Sequence, residues 1–211
     1  MDIKICGLST TASIDAVAAG GAQFAGFILF EKSPRHLEIA QAADLMAHAK
    51  AKGLQTVAVT VNADDDYLLQ INEEANPDVL QLHGAETVQR LADVKARFGK
   101  QTWKALAVSS ATDLEKLDPY RGEADRFLLD AKPPKGSDLP GGNAVSFDWS
   151  ILSQLSADTD YLLAGGVDVN NLAQAMSVSP PGLDLSSGVE SAPGVKDIGK
   201  INAFFEAVRA A

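Results

Sequence analysis

Ile3-Lys4-Ile5-Cys6-Gly7-Leu8-Ser9-Thr10-Thr11-Ala12-Ser13-Ile14-Asp15-Ala16-Val17-Ala18-Ala19-Gly20-Gly21 is the stretch on which the fold turns. Ile3–Cys6 reads as a short strand. Thr10 and Thr11 then offer capping hydroxyls, an alanine-rich run follows, and Gly20-Gly21 ends it, which is the grammar of one helix. Phe24–Phe30 is β-rich again. A strand, a helix and two loops therefore occupy 21 residues, one βα unit. Working outward, further strands are expected at Gln55–Val61, Asp78–His83, Thr102–Val108, Arg126–Asp130, Tyr161–Ala164 and Leu183–Ser186, with starts 22 to 35 residues apart. Leu37–Lys52 and Asp64–Glu74 carry apolar residues at helical spacing, and Glu86–Phe98 places Val88, Leu91, Val94 and Phe98 on one stripe before Gly99. Asn170 is placed to cap a helix at Leu172–Val178, and Val195–Val208 reads as a terminal helix.

Eight such units fit an α/β fold of the closed (β/α)₈ TIM-barrel type, a single domain over 1–211, although about 250 residues is more usual. An open doubly wound sheet produces the same rhythm, so periodicity leaves both standing. Closure removes the two edges that an open sheet must protect. Residues 131–146, rich in Pro and Gly, suit an active-site loop better than a domain junction.

The chain has 211 residues, 46% of them apolar, with a formal net charge of -10. That balance supports a globular core and argues against broad attraction to nucleic acid or to anionic membranes. A local nest of backbone N–H groups still admits a small anion. No eighteen-residue apolar run and no apolar leader occur, so no membrane partner is expected and a cytoplasmic location is the natural reading. Cys6 is the only cysteine, leaving neither an intrachain disulfide nor a cysteine-based zinc set.

Polar residues gather where expected strands end: Cys6-Gly7, Ser33-Pro34-Arg35, Gln81-Leu82-His83-Gly84, Asp130, Gly165-Gly166 and Ser186-Ser187-Gly188. In a closed barrel that end carries the active site. Strand alternation puts Lys4 and Cys6 on the inner face and Ile3 and Ile5 on the helix side. Lys4 then needs a buried partner, and Asp184 on the last strand is the candidate. Cys6 is either a proton-abstracting or nucleophilic thiol or a small buried hydrophobe. Asp130 is either a carboxyl group kept protonated by desolvation or the start of an Asx turn. Arg35 either grips a carboxylate or phosphate or is a solvated surface group. His83 either meets an anion or proton or is structural. Gly165, Gly166, Ser187 and Gly188 suit a phosphate cradle, with plain turns as the alternative. The helix starts at Asn170 and Val195 would add amides to that cradle. Trp103 suits the core; Phe30, Phe147 and Trp149 line an aromatic pocket or pin loops; Glu190 is a surface group or a brace for the final loop.

The set resembles the phosphoribosylanthranilate isomerase family of tryptophan biosynthesis over nearly the whole chain. The resemblance is carried by Lys4-Ile5-Cys6-Gly7, Gly26-Phe27-Ile28-Leu29-Phe30 with Ser33-Pro34-Arg35, and Asp78-Val79-Leu80-Gln81-Leu82-His83-Gly84. Leu128-Leu129-Asp130, Phe147-Asp148-Trp149, Leu163-Ala164-Gly165-Gly166, Asp184-Leu185-Ser186-Ser187-Gly188 and the run from Val189 to Asp197 extend it. It departs at Gly141-Gly142-Asn143-Ala144, where the family commonly has Gly-Gly-Thr-Gly or Gly-Gly-Ser-Gly. The resemblance implies a (β/α)₈ barrel and an Amadori rearrangement of a phosphorylated substrate bearing an anthranilate group. It implies Asp130 as the acid at the ribose ring oxygen and Cys6, as thiolate, as the base at the sugar C2. Arg35 would orient the anthranilate part, with His83, Gly165, Gly166, Ser187 and Gly188 also binding substrate. No metal, cofactor or obligatory partner is implied, and a homodimer is compatible. A different phosphosugar barrel, akin to indole-glycerol-phosphate synthase or ribulose-phosphate epimerase, is the enzymatic alternative, and a noncatalytic phosphate-metabolite binding module the other.

Overall fold

A computed structural model describes residues 1–132, 141 and 146–210. The eight strands are β1 (Asp2–Cys6), β2 (Phe24–Ile28), β3 (Gln55–Thr60), β4 (Val79–Leu82), β5 (Gln101–Val108), β6 (Arg126–Ala131), β7 (Tyr161–Leu163) and β8 (Gly182–Leu185). Every one lies within two residues of its expected bounds. Each pairs in parallel with its successor, and β1 pairs with β8 in the register Lys4↔Asp184, so the sheet is a closed barrel. That ladder removes both edges and rules out the open doubly wound sheet. Among the described residues no helix is long and apolar enough to cross a membrane.

Helix α1 (Thr11–Gly20) starts where Thr10 accepts from the Ser13 N–H at 3.2 Å and ends on Gly21 at φ 96°. The helices α2 (Ile39–Ala51), α3 (Asp65–Gln70), α4 (Val88–Phe98), α5 (Leu172–Ser177) and α6 (Ile198–Ala210) cover the outside. Three expectations need correction. The Asp64–Glu74 segment is not one α-helix, because a π-helical turn takes over at Ile71–Ala75. Asn170 caps nothing: α5 begins after Asn171, and the Asp168 carboxylate collects the N–H groups of Asn170 and Asn171. Val195 starts no helix either; Val195–Lys196 is a strand, β10, paired antiparallel with β9 (Glu190–Ala192).

Two apolar shells follow from strand alternation. Ile3 and Ile5 face the helices, whereas Cys6 belongs to the inner shell with Val57, Val59, Leu128 and Leu162, as expected. Near the strand starts, Phe24 and Trp103 meet edge to face at 4.9 Å with the Arg126 guanidinium over both rings. Trp103 is therefore core. Trp149 and Phe147 pack into the outer shell and are not pocket aromatics, since the 3₁₀ turn Trp149–Gln154 lays them against the strand backs.

On β5 the buried Lys104 Nζ reaches the Leu82 and Gly84 carbonyls at 3.2 and 2.8 Å and Glu86 Oε2 at 2.9 Å. Glu86 in turn accepts from the N–H groups of Asn62 and Gly84, tying the ends of β3, β4 and β5 together. Burial holds the Lys104 pKa below the usual lysine value even with Glu86 beside it. Lys104→Met strands the Glu86 carboxylate and is expected to cost about 3–5 kcal/mol, read as a lower urea midpoint.

Candidate active site

The strand ends and following loops frame a partly open cavity lined by Cys6, Ile28, Phe30, Ser33, Arg35, Val59, Val61, His83, Asp130, Gly141, Asp184 and Ser186. It gathers both expected catalytic residues with Arg35, His83 and Phe30.

Cys6 closes β1, opposite Gly26 on β2. A Cβ on Gly26 would sit 3.0 Å from Cys6 Sγ and 3.1 Å from Lys4 Cε, so the missing side chain admits the thiol and the lysine stem together. Lys4 Nζ meets Asp184 Oδ1 at 2.9 Å, the partner expected from the sequence. Burial works to lower the Lys4 pKa, but Asp184 and Cys6 outweigh it and the net shift is upward. Burial pushes the Cys6 thiol up, and Lys4 and Lys196 only partly offset this.

Arg35 is buried, not a solvated surface group. Its Nε and Nη2 donate side-on to Glu190 Oε1 and Oε2, both at 2.7 Å. Lys196 Nζ shares Oε1 at 2.6 Å. Glu190 is therefore the brace of the final loop. Its carboxyl pKa is lowered: burial opposes this, and Arg35 and Lys196 overcome it. Nη1 makes no hydrogen bond to the described residues, and Nη2 uses only one of its two N–H groups on Glu190, which leaves a second planar edge for a carboxylate.

Asp130 ends β6's inward row. Its Oδ1 accepts from the Ala131 N–H at 2.8 Å, and its Oδ2 lies 3.5 Å from His83 Nε2. The other imidazole nitrogen is 3.1 Å from the amide of Gln81. That bond reaches only the next residue, not the N–H two residues on that an Asx turn uses, and it leaves Oδ2 on the cavity side beside His83.

Gly165 and Gly166 follow β7 at φ 82° and 75°, a conformation that side chains resist. Gly188 packs against the Val167 carbonyl and Asp168, where any Cβ would collide. The loops after β7 and β8 are thus pressed together. No carbonyl among the described residues is recorded as accepting from the N–H groups of Gly165, Gly166, Ser187 or Gly188. None of the four lines the cavity proper, whose nearest member on that side is Ser186. Of the expected loop 131–146, residues 133–140 and 142–145, including Asn143 and Ala144, lie outside the described residues. Gly141 sits against Asp130 and His83. No group of three His, Cys, Asp or Glu among the described residues is arranged to hold a metal.

A family model described as N-(5'phosphoribosyl)anthranilate (PRA) isomerase matches residues 3–207. The chain belongs to the N-(5'-phosphoribosyl)anthranilate isomerase family. A family member from Mesorhizobium japonicum is 54% identical over 100% of this chain and 96% of its own length. The Thermotoga maritima phosphoribosyl anthranilate isomerase superposes with a TM-score of 0.88 at 29% identity, covering 100% of both chains. Another solved phosphoribosyl anthranilate isomerase, 27% identical with a TM-score of 0.85 over 100% of both chains, holds reduced 1-(o-carboxyphenylamino)-1-deoxyribulose 5-phosphate.

Sequence reasoning missed two residues of this site. Gln81 was available as a signal, since a spacing of two from His83 puts both on one strand face. Lys196 was not, because Val195–Lys196 was assigned to a helix.

Proposed function

We propose that this chain isomerises N-(5'-phosphoribosyl)anthranilate to 1-(2-carboxyphenylamino)-1-deoxyribulose 5-phosphate, with Asp130 as acid and Cys6 as base. The observation that carries this reading is the meeting of Cys6 from β1, Asp130 from β6 and Arg35 from the loop after β2 on one cavity. Acid and base on opposite barrel strands can address different atoms of one sugar. Asp130 Oδ1 is committed to the Ala131 N–H, so Oδ2, beside His83, carries and hands on the proton.

Protonation of the ribose ring oxygen breaks its bond to C1, and the anilino nitrogen lone pair forms the C1 iminium. Cys6 then takes the C2 proton, and the C2–H electron pair makes the enolamine. The Asp130 carboxylate takes the C2 hydroxyl proton and the Cys6 thiol gives its proton to C1, which forms the amino ketose and restores the Asp130 acid and the Cys6 thiolate. Nothing is oxidised or reduced overall. The iminium places a positive charge next to Cys6, and opposite charge favours its thiolate over the thiol. Ring opening therefore precedes C2 deprotonation.

The open end of Arg35 orients the anthranilate carboxylate, and the amides of Gly165, Gly166, Ser187 and Gly188 receive the phosphate. Local N–H groups in a partly dry site prevail over a distant net charge of -10. Mixing the protein with N-(5'-phosphoribosyl)anthranilate is expected to quench the anthranilate fluorescence and yield an isomer of equal mass with a C2 ketone by NMR. Tight binding without conversion would instead make the chain a binding module. Arg35→Ala is expected to raise KM roughly 10- to 100-fold, the size of a charge-assisted hydrogen-bonded contact, with kcat little changed. Unchanged KM in steady-state assays removes Arg35 from the carboxylate.

A further inference from the structure

Cys6 stands at the seam where β1 meets β8, and two buried ion pairs bracket it. Beneath it, Lys4 Nζ is held by Asp184 Oδ1 at 2.9 Å. Above it, the hairpin of β9 and β10 brings Lys196 Nζ to Glu190 Oε1 at 2.6 Å and to the Ser186 carbonyl at 3.0 Å. Ser186 and Cys6 line the same cavity, so the Lys196 ammonium is fixed at the rim of the thiol's own pocket. The Lys196 side chain is only 2% exposed, and water does little to screen it. Arg35 also presses on this corner: a Cβ on Gly7, the residue after Cys6, would lie 2.6 Å from Arg35 Cδ.

The charges here do not cancel. Lys4, Lys196 and Arg35 are three cations, and Asp184 and Glu190 are two carboxylates. Before a substrate carboxylate reaches Arg35, this buried cluster holds one cation in excess, which favours an anion among its members. Cys6 is the titratable group placed among them. Across the cavity, from β6 and the end of β4, the remaining ionisable groups among the described residues are Asp130 and His83, which face each other.

We infer that Lys196 is a positioning residue which, with Lys4, stabilises the thiolate of Cys6 and so sets the pH at which the base becomes competent. This rests on the proposed role of Cys6 as base. The direction of the electrostatics agrees with it: Lys196 favours the thiolate and Asp184 opposes it. The hairpin that replaces the expected start of the last helix thereby has a function, since a helix beginning at Val195 would not place Lys196 on Glu190 and Ser186.

Cys6 is the only thiol in the chain, so alkylation by iodoacetamide reads it alone in the intact protein. The alkylation rate and kcat/KM are measured against pH for wild type, Lys196→Met, Lys196→Arg and Asp184→Asn. Lys196→Met leaves Glu190 on both nitrogens of Arg35. It is expected to move the alkylation midpoint up by about one pH unit and slow alkylation at neutral pH about tenfold, with the base limb of kcat/KM moving the same way. Lys196→Arg restores both. Asp184→Asn moves both down. A merely structural lysine would lower stability without these opposed shifts. Lys196→Gln keeps a donor for the Ser186 carbonyl and substitutes for Lys196→Met should that variant not fold. An alkylation midpoint unmoved by loss of the Lys196 charge, or moved the same way by Lys196 and Asp184 variants, overturns the inference. If the alkylation midpoint moves and the kcat/KM limb does not, the inference about the thiolate holds and Cys6 is removed as the base.

Discussion

Cys6→Ala is expected to lower kcat by about 10²–10⁴, the range over which a positioned general base acts, with KM near wild type. Alanine removes the group proposed to take the C2 proton, and no other side chain of β1 offers a replacement base. Lys4, the other inward residue, is bound to Asp184. The fold should survive, because Cys6 contributes a small side chain to a shell that Val57, Leu128 and Leu162 fill. The check is steady-state turnover of N-(5'-phosphoribosyl)anthranilate beside a urea unfolding curve. Near-wild-type kcat from the purified variant would end the base assignment, and a loss of kcat tracking a loss of folded protein would make Cys6 structural. Cys6→Ser gives a graded comparison: a hydroxyl keeps the shape, yet it is a far poorer acid than a thiol, so it gains little from the lysines around it.

The second large loss is expected in Asp130→Asn. Asparagine retains an oxygen for the Ala131 N–H and almost the same volume, so the strand end stays in place. It has no proton to deliver at Oδ2. Ring opening then relies on water, and kcat should again fall by about 10²–10⁴, with unreacted closed-ring substrate remaining in a single-turnover experiment. Combined with Cys6→Ala, the loss should be far from additive, because both groups serve one proton circuit. Two independent, multiplying losses would place the residues in unrelated roles.

Much of this was legible before the structure. The eight strands stand out because a short β-rich run followed by a capped helix recurs throughout. Inward orientation of Lys4 and Cys6 needed only the period of two. The pairing of Lys4 with Asp184 followed from placing a cation inside a barrel, where burial without a partner is costly. Asp130 and His83 were readable as loop-side groups, though not as neighbours. Arg35 shows where such reading stops. Its partner Glu190 is 155 residues away, and nothing local distinguishes an arginine that is free from one held side-on by a carboxylate. Trp149 is similar: an aromatic residue suits a pocket and a core equally, and the packing of a 3₁₀ turn decided between them.

The amino-acid sequence by itself determined the units: which runs are strands, where threonine starts α1, where glycine stops α1 and α4, and which face of β1 points inward. These are local, set by steric preference and by side-chain period over a few residues. Only the tertiary structure decided that the units close. The β1–β8 ladder joins residues about 180 positions apart, and the same local pattern is compatible with an open sheet. Closure, in turn, is what puts a thiol from the first strand and carboxyl groups from the sixth and eighth on one cavity, with Lys4 paired to Asp184 behind it. The electrostatics of that cavity depend on distances across the barrel, to which chain order imposes no limit.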